Sequence, residues 1–191
     1  ILELDWQAHL QAWSKFQHPN KVVANIPYNI TGPILAQLLG KISQPVSQKF
    51  TTIVLLVQKE IAQSLTAKAG SRNFGLLSVR VGYLANCELI CPVPAKAFYP
   101  PPKVDSAVIR LTPRKIEHPA CNPKQLETLL KMGFSSKRKM LRNNLKAIIP
   151  SDRLSQLLEK LEINSQARAE DLSVRDWVNL SNNLSSTPSA L

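Results

Sequence analysis

Near-continuous apolar runs alternate with helical periodicities along this chain, and the rhythm changes near residue 113. Residues 51–57 (Thr-Thr-Ile-Val-Leu-Leu-Val) make the clearest run, rich in branched side chains, as expected of a strand buried on both faces. Val22-Val23-Ala24 reads likewise as the end of a covered strand over 21–24. Two more strands are expected at 87–93 and 106–111, and the alternation at 1–5 predicts another that ends in Asp5. Ile34, Leu35, Leu38 and Leu39 give the apolar face of a helix that Thr31 is expected to cap, with Pro33 tolerated in its first turn. A short helix is expected to end at Lys68 and another to span 76–86. After Pro113 only helical periodicity remains, over 124–132, 136–148, 152–162 and 173–184, with Ser173 and Asp176 in a capping-box arrangement. The expected fold class is therefore α/β: a mostly parallel sheet with an antiparallel strand inserted over 1–113, then a small all-α domain over 114–191.

Composition narrows the setting. The sequence is 44% hydrophobic, but no apolar run approaches the ~20 residues of a membrane span and no signal peptide is recognisable, so a soluble, cytoplasmic protein is expected. It begins with Ile1 inside an apparent element, which suggests an N-terminally truncated fragment. Lys and Arg number 24 against 13 Asp and Glu, a formal charge of +11 that favours a polyanionic partner, nucleic acid before membrane. Cys87, Cys91 and Cys121 are too few and too unevenly spaced for a disulfide framework or a closed zinc site, and His9, His18 and His118 are scattered, so no metal is expected.

Three stretches carry candidate chemistry. At Asn25-Ile26-Pro27-Tyr28 the strand stops, because Pro27 has no N–H for a ladder and pushes Ile26 toward extended backbone. A carboxamide and an aromatic ring are thereby placed at the carboxyl end of a strand, where open α/β sheets bind ligands, although Asn and Pro also make ordinary turns. In the 94–105 loop, Phe98-Tyr99 precede Pro100-Pro101-Pro102, a stiff presenter for an aromatic side chain that could equally plug the core. Between Lys131 and Lys146 there are six basic residues (Lys131, Lys137, Arg138, Lys139, Arg142, Lys146) and no acidic one, read as a basic helix for phosphate contact with Met140, Leu141, Leu145 and Ile148 on its docking face.

In order, Asn25-Ile-Pro-Tyr28, Gln58-Lys59-Glu60, Phe74-Gly-Leu-Leu-Ser78, Ala97-Phe98-Tyr-Pro-Pro-Pro-Lys-Val-Asp-Ser-Ala107 and Lys137-Arg138-Lys139 with Leu141-Arg-Asn-Asn-Leu145 closely resemble the small-subunit ribosomal RNA adenine dimethyltransferase family, over about residues 1–184. The resemblance implies a Rossmann-like S-adenosylmethionine-dependent methyltransferase sheet, incomplete at its N-terminus, followed by a helical RNA-binding domain. It implies catalytic roles for Asn25, Pro27, Tyr28 and Phe98, the last stacking a flipped adenine. By the same resemblance Asp5, Asn25 and Ile26 border the cofactor, while Lys103, Lys137, Arg138, Lys139, Arg142 and Lys146 hold RNA. The implied partner is small-subunit ribosomal RNA or a ribosomal subunit precursor, met by a monomer without a membrane. The family's glycine-rich cofactor loop has no counterpart, since the six glycines form no G-x-G pattern. Two other readings stay open: a DNA adenine methyltransferase, which shares the Asn-x-Pro-Tyr turn, and a non-catalytic RNA-binding assembly factor on the same scaffold.

Overall fold

Asp5 opens a helix rather than closing a strand. The computed structural model describes residues 2–3, 5–46 and 50–185, and in it Leu2 and Glu3 form a turn. Asp5 Oδ1 accepts the Ala8 N–H at 3.0 Å and caps α1 (Trp6–Gln11). The strand expected over 1–5 is thus corrected at its described positions, and Ile1 and Leu4 lie outside the described residues. A five-residue alternation is a weak signal, and an Asx cap that satisfies an orphan helix donor outweighs it.

The sheet forms from four strands. β1 (Lys21–Asn25) is followed by α2 (Thr31–Leu39) and a small hairpin of β2 (Gly40–Lys41) and β3 (Gln44–Pro45). Gly40 adopts φ +82°, and a Cβ there would meet Gln44 O and Val46 N at 2.5 Å, so only glycine fits this corner. Thr31 is the first helical residue rather than the cap, and its hydroxyl donates back to the Tyr28 carbonyl at 3.0 Å. β4 (Thr52–Gln58) leads into α3 (Lys59–Leu65), which stops three residues before the expected Lys68. α4 (Leu76–Leu84) gives way to β5 (Ala85–Val93), so Ala85 and Asn86 begin the strand instead of finishing the helix. β6 (Ser106–Pro113) completes the set.

Strand order is β1-β4-β6-β5. β1 lies parallel to β4, from Lys21 opposite Thr52 to Asn25 opposite Leu56, whereas β4–β6 and β5–β6 are antiparallel. The inserted antiparallel strand is there, but the described sheet is not mostly parallel. Strands 5 and 6 are joined by the 94–105 loop without a crossover helix, and such neighbours pair antiparallel. β4 sits inside the sheet with Ile53, Leu55 and Val57 fully buried. β1 is at the edge among the described strands and Val23 is 81% exposed, so its expected cover on both faces is not found.

The described residues divide into two compact units, Ile1–Thr66 with Leu84–Arg114 and Ala67–Tyr83 with Lys115–Leu191. The sequence suggested one boundary after Pro113; the chain also crosses between units at 66/67 and 83/84. The second unit holds α5 (Pro123–Gly133), α6 (Leu141–Leu145), α7 (Ser151–Lys160) and α8 (Val174–Ser185) around Leu126, Leu130, Leu141, Leu154 and Trp177, all fully buried. Asn122 caps α5 by accepting the Gln125 N–H at 3.1 Å. The Ser173–Asp176 box forms in both directions, Ser173 N–H to Asp176 Oδ2 at 2.9 Å and Asp176 N–H to Ser173 Oγ at 3.2 Å.

The helix expected over 136–148 is not continuous. Residues 136–140 are turn and bridge, and only Leu141–Leu145 is helical. The Asn144 amide donates to the carbonyls of Gly133 (2.6 Å) and Ser136 (3.0 Å), satisfying the C-terminal end of α5, while Met140 pairs with Arg168 and the Leu141 N–H bonds to Ala167 O. Those bonds hold the backbone in a reversal that the apolar spacing alone does not reveal.

No helix among the described residues is long and apolar enough to cross a membrane. All three cysteines are free. Burial, reinforced by Glu88, pushes the Cys87 thiol up to about 12, whereas Cys91 and Cys121 are exposed. Thiolate is the reactive form, so at neutral pH an alkylating reagent should label Cys91 and Cys121 and spare Cys87 until urea unfolds the chain, as peptide mass spectrometry will read.

Candidate active site

Asn25 is the last residue of β1, and its side chain is exposed at the carboxyl end of a parallel strand. Buried Ile26 anchors the turn from below. Pro27, at φ −61° and ψ 130°, is extended, and a single 3-10 turn over Tyr28–Ile30 follows, closed by the Ile30 N–H to Pro27 O at 3.3 Å. The half-buried Tyr28 is tethered at its tip: its hydroxyl hydrogen-bonds Ser106 Oγ. Ser106 is fully buried at the start of β6, opposite Gln58 of β4 and Val93 of β5. A ring fixed at both ends keeps one face available without paying rotamer freedom at the moment of contact.

The proline loop reaches the same place. A cleft of about 390 Å³ is lined by Asn25, Ile26, Pro27 and Tyr28 from one side and by Phe98, Tyr99, Pro100 and Pro102 from the other. Phe98 is half-buried, so it does not plug the core. Asp105 braces the loop. Its Oδ1 accepts the Ala95 N–H at 3.1 Å, its Oδ2 lies 3.4 Å from Lys59 Nζ, and its carbonyl accepts the Lys59 N–H at 3.0 Å. Lys59 and Asp105 also line a smaller hollow of about 210 Å³ with Gln58, Glu60 and Val104. Along the sequence Lys59, Asp105 and Ser106 stand out only as members of longer motifs. Their bracing roles depend on partners 46 and 78 positions away, which spacing does not disclose.

The Ala95 N–H, then Lys59, hold the Asp105 carboxyl below its ordinary 3.8. Because the folded value is depressed, the stabilisation is complete above the ordinary value and is lost as pH falls through the folded one. Asp105→Asn should therefore lower the urea midpoint at neutral pH, and the gap from the parent should narrow as pH falls through the depressed folded value in paired denaturation curves.

Of the other sequence-marked residues, Asp5 is not among those that line the cleft; its carboxylate is engaged as the cap of α1. Lys103 is exposed on the loop. Lys131 lies on α5, Lys137, Arg138 and Lys139 are exposed in the following turn, Arg142 is half-buried on α6 and Lys146 is exposed just after it. The basic helix is thus corrected to a basic turn between two helices, with Leu141 and Leu145 buried beneath and Ile148 45% exposed. Lys137 Nζ stands 3.9 Å from where a Cβ on Gly75 would lie, so the Phe74-Gly75 turn and the basic turn are neighbours within one unit.

The chain is 67% identical over 184 residues to the ribosomal RNA small subunit methyltransferase A of Nostoc punctiforme, covering 96% of this chain and 64% of that protein. It is 66% identical over 182 residues to the protein of that name from Trichormus variabilis, covering 95% and 67%. The chain thus spans about two thirds of the length of these curated relatives. Among solved structures it resembles a dimethyladenosine transferase from Plasmodium falciparum, with TM-score 0.69 and 27% identity over 84% of this chain and 65% of that one. The fold is also that of the 23S rRNA methyltransferase ErmE, with TM-score 0.65 and 24% identity over 88% and 66%. A family model described as ribosomal RNA adenine dimethylase matches residues 2–186, and the chain belongs to that family.

Proposed function

We propose that the full-length protein transfers methyl groups from S-adenosylmethionine to the exocyclic amine of adenines in small-subunit ribosomal RNA, as far as the dimethylated base. The observation that carries this is the single cleft in which the exposed Asn25 carboxamide, the tethered Tyr28 ring and the loop-borne Phe98 meet.

The chemistry asks for little more. An adenine amine is a poor nucleophile because its lone pair is delocalised into the ring. The Asn25 side-chain oxygen and a backbone carbonyl near Pro27 accept its two N–H groups and draw the nitrogen toward a tetrahedral shape, freeing the lone pair. Bound S-adenosylmethionine supplies a methyl group activated by its sulfonium. The oxygens aimed at the amine would stabilise the positive charge it gains in taking the methyl group, the sulfonium C–S bond breaking to leave a neutral thioether, and the amine's proton would then leave to water. No strong base is required. A second round presents an amine with one N–H, so one acceptor must be dispensable.

The residues present suit the methyl-bearing end of the donor: Asn25 offers both an acceptor and a donor, beside buried Ile26, at the end of a parallel strand. Asp5, whose Oδ1 accepts the Ala8 N–H, would border the adenine end of the cofactor. Lys103, Lys137, Arg138, Lys139, Arg142 and Lys146 would meet phosphates, a sequence-independent term that weakens with salt. The relatives' names favour ribosomal RNA over duplex DNA as the substrate and catalysis over passive assembly.

The test is incubation of the full-length protein with small-subunit particles and S-adenosylmethionine, followed by nucleoside mass spectrometry. Dimethyladenosine is the expected product; methyl transfer to duplex DNA alone, or none with tight RNA binding, would favour one of the alternatives. Phe98→Ala should cost about 1–3 kcal/mol of base stacking, a loss of roughly 5- to 150-fold in kcat/KM. An unchanged rate would return Phe98 to a packing role.

A further inference from the structure

Tyr99 has no place in the reaction just described, yet it is 101% exposed, the most exposed large apolar or aromatic side chain among the described residues, and it stands on the rim of the same cleft. It is not a floppy ornament. The loop that carries it is tied by Asp105 to Ala95 at one end and to Lys59 beneath, and Pro100-Pro101-Pro102 stiffen the backbone that follows. Lys96 and Lys103, both exposed, flank it on the same loop. A rigidly presented ring between two cations is the combination that single-stranded nucleic acid uses, with a base on the ring and phosphates on the cations. Neither a core role nor duplex contact accounts for a ring left wholly in water on the rim of this cleft.

We propose that Tyr99 is a stacking platform for the unpaired nucleotide next to the target adenine, so that the loop binds two consecutive nucleotides, one on Phe98 inside the cleft and one on Tyr99 outside it. The proposal rests on the adenine-methylation reading only for the identity of the base in the cleft. Its consequence is specificity: the protein takes adenines in unpaired, base-bearing strands and discriminates against an adenine whose neighbour is paired or missing. Stacking uses the ring face and not the hydroxyl, so phenylalanine should serve as well as tyrosine.

The experiment measures binding of the full-length protein to a short single-stranded RNA with one adenine, whose neighbour on either side is a normal base or an abasic residue. Fluorescence anisotropy gives the affinity ratio between the two RNAs for the parent, Y99A and Y99F, with circular dichroism to confirm the fold. The parent should prefer the base-bearing RNA by about 5- to 100-fold on one side, Y99F should keep that ratio, and Y99A should bring it near one. K103A should weaken both RNAs alike and flatten the salt dependence, as a phosphate contact does. If Y99A keeps the parent's ratio, if Y99F loses it, or if the parent shows no preference on either side, the platform is overturned. Methyl transfer to the same RNAs is scored separately. A Tyr99-dependent preference without transfer sinks the catalytic reading and leaves the platform standing, whereas transfer with an unchanged ratio does the reverse.

Discussion

Asn25→Ala in the full-length protein is expected to lower kcat for methyl transfer by about 10²–10³-fold, the loss typical of removing one preorganised group aimed at developing charge. The side chain is exposed at the end of β1 and supports no part of the core, so the melting temperature should stay with the parent. In the proposed reaction the damage should fall on kcat more than on KM, because there the carboxamide would act on the amine as it pyramidalises, while the stacking rings would hold the base in both states. Asn25→Asp sharpens the test. A carboxylate keeps the acceptor and the shape but loses the donor and would add charge where the proposed reaction places the methyl donor. Single-turnover rates within about threefold of the parent for Asn25→Ala would remove Asn25 from the chemistry.

Trp177→Ala should be the most destabilising single change in the helical unit, by about 3–5 kcal/mol. The indole is fully buried, its ring centroid 5.6 Å from that of Phe134 at a 33° tilt, and its N–H has no partner among the described residues. Its contribution is therefore packing, and truncation opens a cavity with no polar bond to recover. Gly133 shows how closely the ring is fitted: an added Cβ would stand 2.4 Å from Trp177 Cη2 and 3.2 Å from Leu141 Cδ1. Gly133→Ala alone should cost about 1–3 kcal/mol by overpacking. In the double variant the methyl group enters the space the indole left, so the two losses should sum to more than the pair costs together. Urea denaturation of the four proteins of this cycle measures the coupling; strict additivity would mean the contact is relieved elsewhere.

Much of this was legible along the chain. β4 and β6 announce themselves because central strands are covered on both faces and must be apolar almost throughout, as Ile53, Leu55, Val57, Ile109 and Leu111 are. α5, α7 and α8 follow from periodicity and caps, since an amphipathic helix needs only its own residues to show which face is wet. The Asn25–Tyr28 turn is local too, because proline ends the ladder wherever the strand lies. What misled was equally physical. Val23 is as β-prone as any core residue, and only its edge position leaves it 81% exposed. The basic segment has helical spacing, and the Asn144 bonds to Gly133 and Ser136, with the Met140–Arg168 and Leu141–Ala167 pairings, break it into turn and helix. α4 is evident as a helix, while residues 67–83 join the helical unit through contacts distant in sequence.

Taken by itself, the order of residues determined β4, β6, α5, α7 and α8, the turn that halts β1 and the stiffness of the proline loop, because each is set by side chains close together along the chain, and its totals set the net positive charge. Tertiary structure alone decided that Tyr28 would be tied to Ser106, that Asp105 would brace its loop to Lys59, and that Asn25, Tyr28 and Phe98 would share one cleft. Those pairings join positions tens of residues apart, and they exist only once β6 has inserted beside β4 and brought both loops to the same rim.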